Sequence, residues 1–325
     1  MNNEASFLQA ILAQPEADDT WMVLADWLEE TGQAERAELV RLQLTLRRES
    51  NRERRRPYEK RVQTLLLQGV RPCVPTITNS LGMSFALIPP GLFWMGSSHH
   101  RGPADEDEFP AHLVEITKPF FLGVHHVTQG QYQRIMRRNP SYFGPKGAGA
   151  AATQHLDRDN LPVESVSFED IELFCRRLSD RVEEKKAGRR YGLPTEAQWE
   201  YACRAGICHT AYHFGSRLRI RLARFNGHGN RHPLPVGSHL PNLFGLHDMH
   251  GNVWEWTADW YDADYYSKSP LRDPTGPATG HRRVLRGGGW STPPELCRSA
   301  LRGHNSTDAR HNYNGFRLAL PVTPQ

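Results

Sequence analysis

Two carboxylates, Asp248 and Glu255, flank a glycine-containing turn in the stretch GLHDMHGNVWEW, residues 245–256. Two side-chain carboxylates plus turn carbonyls make an oxygen-rich cluster of the kind Ca2+ takes, with about 6–8 oxygen ligands. Trp254 and Trp256 alternate with Glu255, so an extended chain here puts aromatics on one face and the carboxylate on the other. The alternative reading of Glu255 is a cap or a pairing with an arginine. Histidines are numerous (His99, His100, His125, His126, His247, His250, His304, His311), but none shows a ligand spacing such as H-E-x-x-H. Neither a nucleophile elbow nor a phosphate-cradling glycine loop is present. The five cysteines, Cys73, Cys175, Cys203, Cys208 and Cys297, are odd in number and scattered, which argues against a disulfide framework. Cys203 and Cys208 are too far apart for a zinc knuckle, and packed thiols are expected.

The last stretch, Arg282 to Leu320, combines a patterned frame with an irregular filling. The frame is R-V-L-R-G-G with Trp290, then C-R-S-A-x-R from Cys297, then N-G-F-R-L from Asn314. The filling is small and polar. A stiff frame carrying irregular polar loops is a common way to build a binding surface.

These segments need a scaffold. Residues 4 to 48 carry helical periodicity: Phe7, Leu8, Ile11, Leu12, then Trp21, Leu24, Ala25, Trp27, Leu28. Asp18 or Asp19 is the expected cap of a second helix, Gly32 its end, and a third helix starts near Ala34. Residues 49–80 read as a basic helical linker, and Arg47 to Arg61 as a solvated charged face. From Leu81 the texture changes to short strands, Met83–Ile88, Gly91–Met95, His112–Ile116 and Phe120–His125. Helices are expected over Thr128–Arg137, Ser167–Glu183 and after Thr195, each with a capping residue. The sequence predicts an irregular, loop-rich α+β domain over 81–322 behind a small all-α domain over 1–48.

The chain has 325 residues, a net charge of +4 and 38% hydrophobic residues. Its mean hydropathy is −0.62. No apolar run approaches the roughly 20 residues of a membrane span. The N-terminus has no secretory pattern, so a cytoplasmic location with reduced thiols is expected. The mild charge points away from nucleic acid as a partner.

At DDTWMVLADWLEETGQAERAELVRLQ the chain resembles the short repeat-companion helical domain, which implies a protein partner for the N-terminal helices. Residues 81 to 320 resemble the formylglycine-generating enzyme family, also called the sulfatase-modifying-factor family. The pieces run in order: FWMG at Phe93–Gly96, DEDEFPAHLVEI at Asp105–Ile116, LPVESVSFEDIELFC at Leu161–Cys175, YGLPTEAQWEYACRAG at Tyr191–Gly206, NLFGLHDMHGNVWEW at Asn242–Trp256, then RVLRGGGW and NGFRLAL.

The resemblance implies a C-type lectin-like fold. It also implies a calcium site on the side chains of Asp248 and Glu255 and the carbonyls of Gly251 and Val253. A second family site would use Asn226, but the acidic ligands are missing between Gly227 and Pro235. The family's catalysis rests on two copper(I)-binding cysteines shortly after the Gly-Gly-x-aromatic step. Here Ser291, Thr292, Pro293, Pro294 and Glu295 follow Trp290, and hydroxyls do not replace soft thiolates. Cys297 lies further on and is expected to be packed, so copper chemistry is expected to be lost. The iron-dependent sulfoxide synthases share this domain, but residues 1 to 80 are too short for their added iron-binding domain and lack its histidines.

The segment also resembles the variable proteins of diversity-generating retroelements. That resemblance implies a ligand face at Ser291, Thr292, Pro293, Leu296, Leu301, Gly303, His304, Ser306, Thr307, Ala309, His311 and Tyr313. Its occupant would be a protein or other ligand. An oxidase with altered chemistry and an adaptor acting through the N-terminal helices are the alternatives.

Overall fold

The structure is a computed structural model, and it describes residues 3–98, 104–226 and 231–322. Four helices come first: α1 (Glu4–Ala13), α2 (Asp18–Glu30), α3 (Ala34–Arg48) and α4 (Arg52–Leu67). Asp18 and Asp19 do not cap α2. They sit inside its first turn, with Ala17 at the cap position. Asp18 instead faces Arg47 at 3.5 Å and Arg48 at 2.5 Å on α3, a pairing that also suits the positive end of the α2 dipole.

The helices are not a free-standing bundle. Ile11, Trp21, Leu24 and Leu28 join one core with Phe85, Leu87 and Phe121, while Val62, Leu65 and Leu66 of α4 join another with Ala197 and Phe244. The basic run is a helix rather than an open linker, and most of its charges are exposed. Arg47 and Glu59 are buried, and so is Arg55, at 1% exposure. Its guanidinium donates to the carbonyls of Leu46 (2.7 Å) and Gly206 (2.7 Å), which ties α4 to the rest of the chain.

The remainder is built on two small sheets and a hairpin. One sheet has the order β1 (Thr76–Thr78), β2 (Ser84–Ile88), β5 (Phe120–Gly123), β10 (Ala319–Pro321), all antiparallel. It therefore starts at Thr76, ahead of the boundary expected at Leu81. The hairpin pairs β3 (Gly91–Met95) with β4 (His112–Ile116). The second sheet has the order β8 (Gly303–Asn305), β7 (Arg283–Arg286), β6 (Trp254–Trp260), β9 (Asn314–Gly315), with β9 parallel to β6. Three helices pack between: α5 (Gln129–Met136), α6 (Phe168–Ser179) and α8 (Glu196–Arg204), with the short α7 (Val182–Lys186) after α6.

Thr128 with Gln131, Ser167 with Asp170, and Thr195 with Gln198 form full capping boxes. Each satisfies two otherwise orphan donors locally, which is why these helix starts are readable from sequence. Helix α6 stops at Ser179, four residues short of the expected end. The Ser179 hydroxyl donates to the Cys175 carbonyl (2.8 Å) and accepts the Tyr191 N–H (2.9 Å), which turns the chain toward Tyr191. Among the described residues no helix is long and apolar enough to cross a membrane.

Candidate ligand-binding face

The frame of the C-terminal stretch is held by buried arginines. Arg286, at the end of β7, donates to the carbonyls of Ser299 (2.7 Å), Ala300 (2.9 Å) and Leu301 (2.7 Å) and pairs with Glu200. Arg298 makes a two-pronged contact with Glu108 at 2.7 and 2.6 Å. Arg302 does the same with Glu196 at 2.8 and 3.0 Å. Forked guanidinium–carboxylate contacts fix direction as well as distance. The C-R-S-A-x-R core is thus clamped at every residue from Arg298 to Arg302.

Three positions expected on the face belong to this frame. Thr292 is buried, and its hydroxyl accepts the Gly289 N–H and the Trp254 indole N–H, both at 2.9 Å. Leu301 is only 3% exposed. Gly303 lies against Trp254, and a Cβ there would sit 2.7 Å from the indole ring. Composition could not distinguish these three, because small polar and aliphatic residues serve both roles.

The other nine, Ser291, Pro293, Leu296, His304, Ser306, Thr307, Ala309, His311 and Tyr313, are all at least partly exposed. Their main chain is pinned while their side chains are not needed for pinning. The His311 carbonyl accepts from Ser165 (3.0 Å), Thr307 from Phe168 (2.8 Å) and Tyr313 from Trp254 (2.7 Å). The Trp290 indole donates to the Asn312 carbonyl at 3.0 Å. His311 and Tyr313 stack with parallel rings 5.0 Å apart, and Trp290 meets the edge of Phe143. The His304 ring lies tilted against Tyr261 with ring centres 3.9 Å apart.

Beneath this segment Glu164 is fully buried, and among the described residues no cation pairs with it. It accepts the Phe143 N–H (2.8 Å) and the Ser165 hydroxyl (2.7 Å). Burial pushes its carboxyl up to about 7, and the two donors hold back only part of the rise. The folded protein therefore favours the protonated form. This contribution is fully present below the ordinary carboxyl value near 4.5 and is lost as pH rises through 7. Glu164→Gln keeps the shape without the charge. Its melting temperature is expected to fall less than the parent's between pH 5 and 8.5, a gap on the order of 3 kcal/mol by the upper end. Parallel melting curves across that range check it.

The carboxylate pair is engaged differently from the calcium expectation. Glu255 is 1% exposed. Its oxygens face Arg317 at 2.6 and 2.9 Å, the Trp199 indole at 2.8 Å and His126 Nε2 at 3.1 Å. This is the arginine pairing left open above, and a Ca2+ ion at Glu255 would have to displace the guanidinium. Asp248, with φ of +57°, accepts the Gly237 N–H at 2.8 Å and lies 3.5 Å from His239 Nδ1. Gly251 donates to the Gly287 carbonyl, and Val253 is fully buried. The Asn226 N–H is spent on the Thr292 carbonyl at 2.8 Å, and residues 227–230 of the second expected site lie outside the described residues.

Cys297 is fully buried beneath Gly288, where a Cβ would come within 2.4 Å of its sulfur, and its Sγ lies 3.6 Å from the Pro293 carbonyl. One thiol therefore lies under the turn, with the hydroxyl of Thr292 on the same turn. The thiol is pushed up, first by burial and then by Glu295. Among the histidines, His125 faces His247 with ring centres 4.8 Å apart, and His250 Nδ1 lies 2.8 Å from the Cys297 carbonyl. His99 and His100 lie outside the described residues. Sequence reasoning missed one cluster, Glu59, Cys208 and His209. Its local signal was the adjacent Cys-His pair, and its third member is 149 residues away from Cys208.

The profile of the sulfatase-modifying factor enzyme 1-like domain matches residues 74–322. Over 286 residues the chain is 31% identical to the formylglycine-generating enzyme of Streptomyces coelicolor, covering 71% of this chain and 87% of that protein. The structure resembles PvdO from Pseudomonas aeruginosa with a TM-score of 0.62 at 26% identity, covering 76% of this chain and 97% of PvdO. It resembles Treponema denticola variable protein 1 with a TM-score of 0.61 at 25% identity, covering 77% of this chain and all of that one. The match starts at residue 74, just ahead of β1, as the sheet requires. The chain belongs to the sulfatase-modifying factor, or formylglycine-generating enzyme, family and has its C-type lectin-like fold.

Proposed function

We propose that this chain is a non-catalytic ligand-binding member of the family, and that the nine exposed positions between Ser291 and Tyr313 form a diversified recognition face. The observation that carries the reading is the division of labour in that segment. Backbone carbonyls and buried arginines hold the loop, so its side chains can change without unfolding it. The likeness to a variable protein supports it. Tyr, Ser and His give adaptable contacts at low entropic cost, and a protein or other ligand is the partner such a face suits. The five buried free thiols are in keeping with a reducing compartment such as the cytoplasm.

Sequencing the gene in independent isolates tests this. The nine positions are expected to differ while Arg286, Arg298, Arg302 and Arg317 stay fixed, with a nearby template repeat differing at adenines. Invariant segments without such a repeat would sink the reading. The oxidase alternative has one observation in its favour, Cys297 beneath the turn. A single thiol lacks the second soft ligand of a two-cysteine copper(I) site. Anaerobic copper(I) titration is expected to give no tight stoichiometric binding, and cysteine peptides no oxygen uptake above buffer. Tight binding of one copper would restore the enzyme reading.

A further inference from the structure

Away from the face, three donor side chains converge where α4 meets the chain that follows α8. Glu59 comes from α4, while Cys208 and His209 lie just past Arg204. Cys208 Sγ is 3.0 Å from Glu59 Oε1 and 3.5 Å from His209 Nδ1. His209 Nδ1 is 3.0 Å from the other carboxylate oxygen, Glu59 Oε2. One donor atom from each lies within 4.8 Å of the others. Glu59 and Cys208 are buried, and the ring of His209 leaves a narrow path to solvent.

The donor set is specific. A thiolate, an imidazole and a carboxylate suit Zn2+, whereas the carboxylate disfavours copper(I) and the thiolate disfavours Mg2+ or Ca2+. The spacing fits as well. Zinc bonds of about 2.0–2.3 Å place tetrahedral ligands about 3.3–3.6 Å apart. The observed contacts of 3.0–3.5 Å use both carboxylate oxygens, so Glu59 has to turn one oxygen toward the metal and the edges have to open by up to about half an ångström. Among the described residues His209 Nε2 has no hydrogen-bond partner, so the ring's polar contact is made through Nδ1, into the cluster. Arg55 holds Glu59 Oε1 from another side at 3.2 Å.

We propose that Glu59, Cys208 and His209 form a three-ligand zinc site, its fourth position open to water, that fastens α4 to the lectin-like domain. Binding exchanges the Sγ–H bond for an Sγ–Zn bond and releases that proton to solvent. Without metal the thiol stays neutral, because burial and then the charge of Glu59 push it up to about 12. The ion therefore links two parts of the chain 149 residues apart in sequence.

Cobalt(II), added to the full-length reduced protein, is the probe. One equivalent is expected to give a thiolate-to-cobalt band in the near ultraviolet, which Zn2+ abolishes. Cys208→Ser and His209→Ala are expected to lose the band, and Cys73→Ser to keep it. Zn2+ is expected to raise the melting temperature of the parent and of Cys73→Ser, but not of the other two. His209 is at the edge of the cluster, so His209→Ala keeps the test valid if Cys208→Ser misfolds. A parent protein without the band, or a band that survives in Cys208→Ser, overturns the proposal and leaves a hydrogen-bonded cluster only.

Discussion

Arg317→Met is expected to destabilise the protein by about 3–5 kcal/mol, because it strands a buried carboxylate. The Arg317 guanidinium does more than meet Glu255 at 2.6 and 2.9 Å. It donates to the carbonyls of Gly123 (2.9 Å) and His247 (3.0 Å), so it joins β5, β6 and the turn before Gly251. Methionine fills much of the volume and supplies none of these bonds. For a domain of this size the loss corresponds to roughly 10 °C in melting temperature.

The pH dependence gives a second readout with a definite sign. Burial raises the Glu255 carboxyl, but Arg317 and His126 outweigh it and hold it at about 2. The stabilisation is present above the ordinary value near 4.5 and is lost as pH falls toward 2. In Arg317→Met the larger lowering charge is gone and only His126 is left to oppose burial, which then dominates. Stability should then fall as pH rises above 4.5, the reverse of the parent's acid limb. Adding Glu255→Gln to Arg317→Met is expected to recover part of the loss, since no charge is then left unpaired. Urea unfolding of the parent and the two variants at pH 4 and 8 measures all of this.

Much of the scaffold is legible in the sequence because its signals are local. Strands β3 and β4 fall on the expected residues, and three helix starts announce themselves through capping boxes only four residues long. The arginines of the frame are legible as a pattern, but their partners are not. Arg317 finds Glu255 across 62 residues and Arg298 finds Glu108 across 190. Spacing along the chain carries no information about such pairs. The calcium expectation turns on the same point, since a carboxylate beside a turn looks the same in sequence whether a cation or a guanidinium faces it. Thr292 and Gly303 escaped for another reason. Their role is set by the Trp254 ring, which donates to the one and closes over the other.

Leu301→Ala is expected to cost about 2–5 kcal/mol. Replacing His304, Ser306, Thr307, His311 and Tyr313 together by alanine is expected to cost less per residue, with each surface change within about 0.5 kcal/mol and the five together at most about 2.5 kcal/mol. The contrast is sharp because Leu301 and His304 are three residues apart. Leu301 is 3% exposed, with its carbonyl gripped by Arg286 at 2.7 Å. Alanine there leaves a cavity in a part of the core that the arginine cannot release. The five surface residues contribute carbonyls, and alanine retains those: Thr307 and His311 still accept from Phe168 and Ser165. What the fivefold variant loses is the His311–Tyr313 stack and the His304–Tyr261 contact, which lie where a ligand would be met. Thermal unfolding of the two variants side by side decides the matter. A fivefold variant as unstable as Leu301→Ala would mean that the filling holds the fold. A segment with that duty could not be free to diversify.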